Sequence, residues 1–347
     1  MKPNDGPYDF CNADINILSA EKWGEIKDQY GTQDPLFPGI GFRNKVGNLA
    51  FPAFKCILER SENSAAPSQA HCSGEHLVCQ DQVFQTNDSW KKPVDIKSWI
   101  RWQDCAWPGP DYRVGIIDSG CGDKNISSVS FNQEIQVDAW KDDIEGGHGT
   151  HVAHIIKTIA PTAIILSAKS STDEKLSNFS KILCALIWLA NEGARIVNIS
   201  IAILELPRNA QIVYQELLRA LFFERQVLVF CAIGLDSIDQ PNGKPFSYLA
   251  LPNFVVKVGA INSSGRSCYR PDITRNLVSC AGPYYVQCTI PFWGYSAACP
   301  VAAATYYLYL KKHGGNLWEA LKEFYYRCDT PSMDVGFGKV KAPECVK

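Results

Sequence analysis

The sequence predicts a three-layer α/β domain, a parallel sheet held between helices, preceded by an irregular N-terminal module. Three observations predict it. Apolar runs of strand length recur through the C-terminal two-thirds, stretches of helical length separate them, and the chain changes character at Pro108-Gly109-Pro110. A sheet with one wet face alternates apolar and polar residues. Runs that stay apolar at consecutive positions are those of strands buried on both faces. Helices on both sides of a parallel sheet provide that burial.

The strands are VGIID (114–118), AIILSA (163–168), RIVNISI (195–201), VLVFCAI (227–233) and FVVKVGAI (254–261). Helices are expected over 148–159, 176–192, 208–224, 296–312 and 316–327. Residues 108–347 form this domain and residues 1–107 the module. Within the module, Ser19 to Tyr30 reads as a helix. Ser61 to Ser73, polar and rich in small residues, reads as a loop or linker. A prosegment, a regulatory module and a partner-binding module are all open readings of residues 1–107.

Composition narrows the function. Hydrophobic residues at 46% and charged residues at 20% are ordinary globular values and exclude a disordered chain or a fibre. A net charge of -2, with no lysine or arginine run, gives no case for nucleic acid or an anionic membrane surface. The start, MKPNDGPYDF, lacks the cationic and apolar regions of a secretory signal, and no apolar run is long enough to span a bilayer. Fourteen cysteines are scattered along the chain, and Cys184, Cys231 and Cys299 sit inside core-like runs. Buried cysteine behaves as a small hydrophobe. Mostly free thiols and a soluble, cytoplasmic protein are therefore expected. No oligomeric state follows.

Three segments carry chemistry. In VGIIDSG, Asp118 ends a buried strand. In GGHGTHVAHII, His148 opens a helix after Gly146-Gly147. In GYSAACP, Ser296 stands at a helix entrance. A serine nucleophile needs a base within hydrogen-bond reach, and that base needs a carboxylate to fix its tautomer. One Asp, one His and one Ser at such junctions supply the set.

Together these segments resemble the subtilases, the subtilisin-like serine proteases of peptidase family S8. The chain order Asp, His, Ser is theirs. Asp-Ser-Gly and His-Gly-Thr-His-Val-Ala match the family's motifs, and GFGKVKA (336–342) resembles the segment that closes many subtilase domains. The resemblance covers about residues 111–342 and leaves the N-terminal third outside. It implies a divergent subtilisin-like fold with Asp118, His148 and Ser296 as the catalytic residues and a peptide or protein as substrate.

The departures are specific. The family's Gly-Thr-Ser-Met-Ala becomes Gly294-Tyr295-Ser296-Ala297-Ala298, with Pro300 retained. Where the resemblance implies an oxyanion-hole Asn after Gly234, this chain has Leu235, which has no donor. An alignment shifted by one place puts Asp236 there, a donor only when protonated; Tyr295 is a candidate substitute, although its ring is expected to pack away from the site. The implied substrate strand, Ser200, Ile201, Ala202 and Ile203, carries side chains where the family has Leu-Gly-Gly. With Ile233 and Gly234 near its wall, a narrowed or occluded cleft is expected.

No cofactor and no metal are expected. The family's calcium-binding insertion is missing after the His148 helix. Asp138, Asp142, Asp143 and Glu145 read as a solvated loop rather than a calcium cage. His71, Cys72, His76 and Cys79 fit no zinc spacing. His148, His151 and His154 stand at three-residue intervals, but the resemblance assigns His148 to catalysis and His151 to helix packing rather than to a metal. The resulting expectation is a restricted-specificity serine endopeptidase acting in processing or regulation. The alternative is a pseudoprotease that keeps the fold for binding.

Overall fold

The computed structural model describes residues 92–131, 139–142, 147–171, 176–203, 206, 208–234, 247–267, 278–287, 291–332 and 335–345, with three further strands before residue 92. Those strands are β1 (Ala13–Ile17), β2 (Cys56–Arg60) and β3 (Glu75–Leu77). The proposed helix from Ser19 to Tyr30 and the linker from Ser61 to Ser73 lie outside the described residues.

The frame is a seven-stranded sheet. Its strands are β4 (Arg113–Asp118), β5 (Ser127–Ser130), β6 (Ile164–Lys169), β8 (Ala194–Ile199), β9 (Leu228–Ala232), β10 (Val255–Ile261) and β11 (Cys280–Pro283). They lie in the order β11-β10-β9-β8-β4-β6-β5, and every neighbouring pair is parallel. In β4 and β6 all residues after the first are buried, and β9 is buried throughout. Consecutive burial requires cover on both faces. Helices supply it: α2 (His148–Ile159), α3 (Phe179–Asn191), α4 (Arg208–Phe223), α5 (Tyr295–Lys312) and α6 (Leu317–Arg327), with a short α1 (Ile96–Trp99) ahead of the sheet. The expected strands and helices appear within a few residues of their predicted bounds. β5 and β11 lack the apolar run that marks the others, which is why the sequence did not mark them.

Two features of this topology position the site. Helix α5 is buried from Tyr295 to Leu310, and its Ala297, Ala298, Ala302, Ala303 and Ala304 let it lie close against the sheet and α2. Second, the chain leaves β4 toward β6 but leaves β8, on the other side of β4, toward β9. Neighbouring strands whose connections diverge open a crevice at their C-terminal ends, where α/β proteins bind ligands. Asp118 ends β4, and Ser200 directly follows β8.

The expected helix 176–192 starts only at Phe179. Leu176–Asn178 instead form β7, which pairs antiparallel with β3: Glu75 opposite Asn178, His76 opposite Ser177, Leu77 opposite Leu176. Strands β1 and β2 also pair antiparallel, and β1 lies against α3 and α4.

The expectation of free thiols fails at one pair: Cys105 and Cys345 form a disulfide, with Cα atoms 5.8 Å apart. The ends of the domain are brought together by backbone bonding. Val340 N–H donates to Ala281 O, and Ala342 N–H to Ile100 O, so the closing segment runs past β11 to the entry of the domain. Among the described residues, Cys121, Cys231, Cys280, Cys299 and Cys328 carry unbridged thiols. Reduction is expected to lower the melting midpoint by about 5–15 °C, because the bridge closes a very long loop. A midpoint unchanged by reductant, in a sample shown by mass analysis to be bridged beforehand, contradicts a stabilising role.

Candidate active site

Asp118 and His148 are hydrogen bonded, Oδ1 to Nδ1, at 2.7 Å, with side chains 1% and 7% exposed. A carboxylate only accepts, so Nδ1 carries the proton and Nε2 keeps its lone pair. Asp118 Oδ1 also accepts from the Ser119 N–H at 2.8 Å. The pair is brought together because β4 delivers Asp118 at its last residue and α2 presents His148 at its first. Their close approach needs Gly149, since a Cβ there would strike Gly120 O and come within 3.1 Å of Asp118 Oδ1. That is the physical content of His-Gly-Thr-His in this chain.

A second carboxylate holds the same corner. Asp142 Oδ2 accepts from the Thr150 N–H and hydroxyl, both at 2.7 Å, while its Oδ1 accepts from the Ser119 hydroxyl at 2.6 Å. The N-cap residue Gly147 has no side chain to bond the first turn of α2. Asp142 does so from a distance and places negative charge at the helix N-terminus, where it is favourable. The solvated-loop expectation therefore needs correcting at Asp142. Asp138, Asp143 and Glu145 lie outside the described residues, as do His71, Cys72 and Cys79 and the side chain of His76.

Ser296 is the second residue of α5 and is 5% exposed. Its hydroxyl donates to Ser200 O at 3.0 Å, and the Ser200 hydroxyl donates to Ser296 O at 3.3 Å. The second bond has a cause in Pro300. In a helix the Ser296 carbonyl accepts from the N–H of residue 300, and proline has none. Ser200 supplies that donor, and its own hydroxyl is oriented by Asn198 Nδ2 at 2.9 Å. Asn-x-Ser on one strand and Ser-x-x-x-Pro on the helix thus form one interlocking set.

Phe292 lies against the histidine side of the corner. Its ring lies edge-on to His148 at 5.4 Å and stacks on His151 at 5.1 Å, four residues before Ser296. Helices α2 and α5 pack together behind it. His151 is thus a helix residue with a packing neighbour, whereas His154 lies exposed on the same helix. No group of three or more metal-binding side chains occurs among the described residues.

The remaining candidates fall as follows. Ile201, Ala202, Ile203 and Ile233 are buried, as is Gly234. Ile203 offers no backbone for pairing with a peptide: its N–H donates to Ser247 Oγ and its carbonyl accepts from Tyr248 N–H. The Tyr295 ring is buried edge-to-face against Tyr284 at 6.5 Å. Leu235 lies outside the described residues. Burial pushes the Cys299 thiol well up, so this cysteine, three residues past Ser296, is a core thiol rather than a competing nucleophile.

Sequence reasoning missed Ser119, Asp142, Thr150 and Phe292 as parts of this corner. For Asp142 a signal existed: an acidic residue shortly before a helix start with no capping side chain.

The model of the Subtilase family matches residues 109–331. The chain belongs to the subtilase family. Among curated relatives of this subtilase is the minor extracellular protease Epr of Bacillus subtilis (strain 168), 28% identical over 186 residues, which are 50% of this chain and 27% of that protein. The chain thus spans about a quarter of the length of the curated relative it matches. Among solved structures, the epidermin leader peptide processing serine protease EpiP of Staphylococcus aureus aligns with a TM-score of 0.62 at 14% identity, over 95% of this chain and 96% of that one. A lanthipeptide protease aligns with a TM-score of 0.53 at 20% identity, over 67% and 86%. These two likenesses bear on the fold. No helix among the described residues is long and apolar enough to cross a membrane.

Proposed function

We propose that this subtilase is a serine endopeptidase in which Ser296 attacks the scissile carbonyl, His148 takes and returns the proton, and Asp118 orients His148. The observation that carries the reading is the buried 2.7 Å bond between Asp118 Oδ1 and His148 Nδ1. It leaves Nε2 as the basic nitrogen, which is the tautomer a general base for serine needs. Ser296 Oγ gives its proton to His148 as the acyl bond forms, and His148 gives it to the leaving amine. Water then repeats the exchange and frees the serine. The N–H groups that open α5 point their dipoles toward this corner, which favours the oxyanion.

The substrate is an extended peptide laid beside Ser200–Ala202. Three features support a restricted set of substrates and a processing role. The side chains on that strand are buried, the backbone of Ile203 is already bonded, and the fold resembles a protease described as processing a leader peptide. The Cys105–Cys345 bridge and the extracellular relative favour an oxidising compartment over the cytoplasmic address expected from sequence.

Of residues 1–107, the part before residue 92 then acts as an inhibitory segment, since Ile96, Trp99 and Ile100 pack in the domain core and Cys105 is bridged to Cys345. Strand β3 adds to β7, which begins shortly after Ser170 and Ser171, whose N–H groups bond Asp118 O. An added strand at that edge is the form a bound peptide takes. One experiment tests both parts: hydrolysis of a peptide library by the wild type, Ser296→Ala and His76→Pro. Loss of cleavage in the first variant and faster cleavage in the second are expected. Full activity in Ser296→Ala contradicts the catalytic role. An unchanged rate in His76→Pro contradicts inhibition by β3. A wild type that binds peptides without cleaving them favours the pseudoprotease reading.

A further inference from the structure

We propose that Asp142 is a positioning residue for catalysis, holding the His148 helix and setting the direction of the Ser119 hydroxyl so that Asp118 is left to serve His148. The inference rests on the catalytic reading above and adds a residue that neither motif resemblance nor the Asp-His-Ser set includes.

One proton decides the arrangement. Ser119 Oγ stands 2.6 Å from Asp142 Oδ1 and 3.1 Å from Asp118 Oδ1, both carboxylate oxygens, yet it has a single hydrogen to give. A charged acceptor at the shorter distance takes it. Asp142 therefore claims the Ser119 proton, and Ser119 Oγ turns its lone pairs toward the Gly149 N–H, which donates to it at 3.3 Å. Asp118 Oδ1 is left with two donors, the Ser119 N–H and His148 Nδ1. A third donor on the same oxygen weakens its hold on His148. Meanwhile Asp118 Oδ2 is buried with no hydrogen-bond partner among the described residues, so the whole grip of Asp118 on the imidazole runs through Oδ1.

The other oxygen of Asp142 does mechanical work. Through Thr150 it pins the first turn of α2, two residues after His148. Asp142 thus acts on His148 along two routes: it places the ring through the helix, and it governs the hydrogen bonding of the carboxylate that orients the ring.

The test uses the full-length chain as wild type, Asp142→Asn, Asp142→Ala and Ser119→Ala. Three readouts are taken: the melting midpoint, the low-field proton resonance of His148 Nδ1–H, and kcat separately from KM. Asp142→Asn separates the two routes. Its amide oxygen still accepts from Thr150, but its NH2 group now faces Ser119 Oγ and turns the Ser119 hydrogen onto Asp118 Oδ1. The expected result is a midpoint close to wild type, an upfield shift of the His148 resonance, and a fall of about 10-fold in kcat at unchanged KM. Adding Ser119→Ala removes the misdirected hydroxyl, so Asp142→Asn should then cost no more than Ser119→Ala alone. Asp142→Ala loses both routes and lowers the midpoint as well.

A purely structural Asp142 gives another pattern: wild-type resonance and kcat in Asp142→Asn, with losses in Asp142→Ala only. That pattern overturns the proposal. If Ser296→Ala keeps full activity, the catalytic reading fails, whereas the His148 resonance still reports whether Asp142 governs the Asp118–His148 bond.

Discussion

Asp118→Asn is expected to lower kcat about 10⁴-fold while leaving the melting midpoint within a few degrees. The size follows from what each group can donate. A carboxylate accepts only, so it holds the proton on His148 Nδ1 and leaves Nε2 basic. Asparagine is isosteric but carries an NH2 group. When that group faces the ring, Nδ1 must accept, and the proton moves to Nε2, the nitrogen that has to receive the proton of Ser296. The side chain also loses the negative charge that stabilises the imidazolium. Neither change removes packing volume at the end of β4, although the Ser119 N–H, which bonds the same Oδ1, then faces the NH2 group as well. Kinetics and a thermal melt on the same preparation check this. A loss smaller than about 10-fold contradicts the orienting role of Asp118.

Leu235→Asn is expected to raise kcat by up to about 10²-fold. The family supplies one oxyanion donor from an asparagine side chain after the strand that here ends at Ala232, and leucine has none. Gly234 is buried, and the Ile233 N–H donates to Val258 O, so the chain leading to Leu235 is anchored to β10. An asparagine there enters from a fixed base. Tyr295 is a poor substitute, since its buried ring is fixed against Tyr284. Comparing kcat for the wild type, Leu235→Asn and Tyr295→Phe decides the matter. No gain from the first with a large loss from the second assigns the donor to Tyr295 and overturns this account of Leu235.

Much of the fold was legible because its strands are buried on both faces and stand out as apolar runs. That Asp118 ends a strand and that His148 and Ser296 open helices could likewise be read from glycine-rich junctions next to those runs. The rest depended on distant contacts. Leu176–Asn178 look helical alone and become β7 only because β3 pairs with them across about a hundred residues. Cys105 and Cys345 are no more distinctive in sequence than the buried thiols, and the closing segment brings them together. Asp142 sat in an acidic run whose net charge suggested water. Its role came from Thr150 and Ser119, which face it only after α2 docks on β4. The Ser200–Ser296 interlock was hidden for a similar reason: the consequence of Pro300 for the Ser296 carbonyl appears only when the hydroxyl of the residue following β8 stands opposite.

The central claim is that Ser296 is a nucleophile activated by His148, and covalent labelling with a fluorophosphonate tests it most directly. Such a probe reacts with an activated serine and is small enough to enter a narrow cleft. After labelling, the protein is digested and the modified peptide is mapped by mass. The account predicts a single adduct on Ser296, lost in Ser296→Ala and strongly slowed in His148→Ala. An unlabelled wild type, or a label that persists in Ser296→Ala, contradicts it.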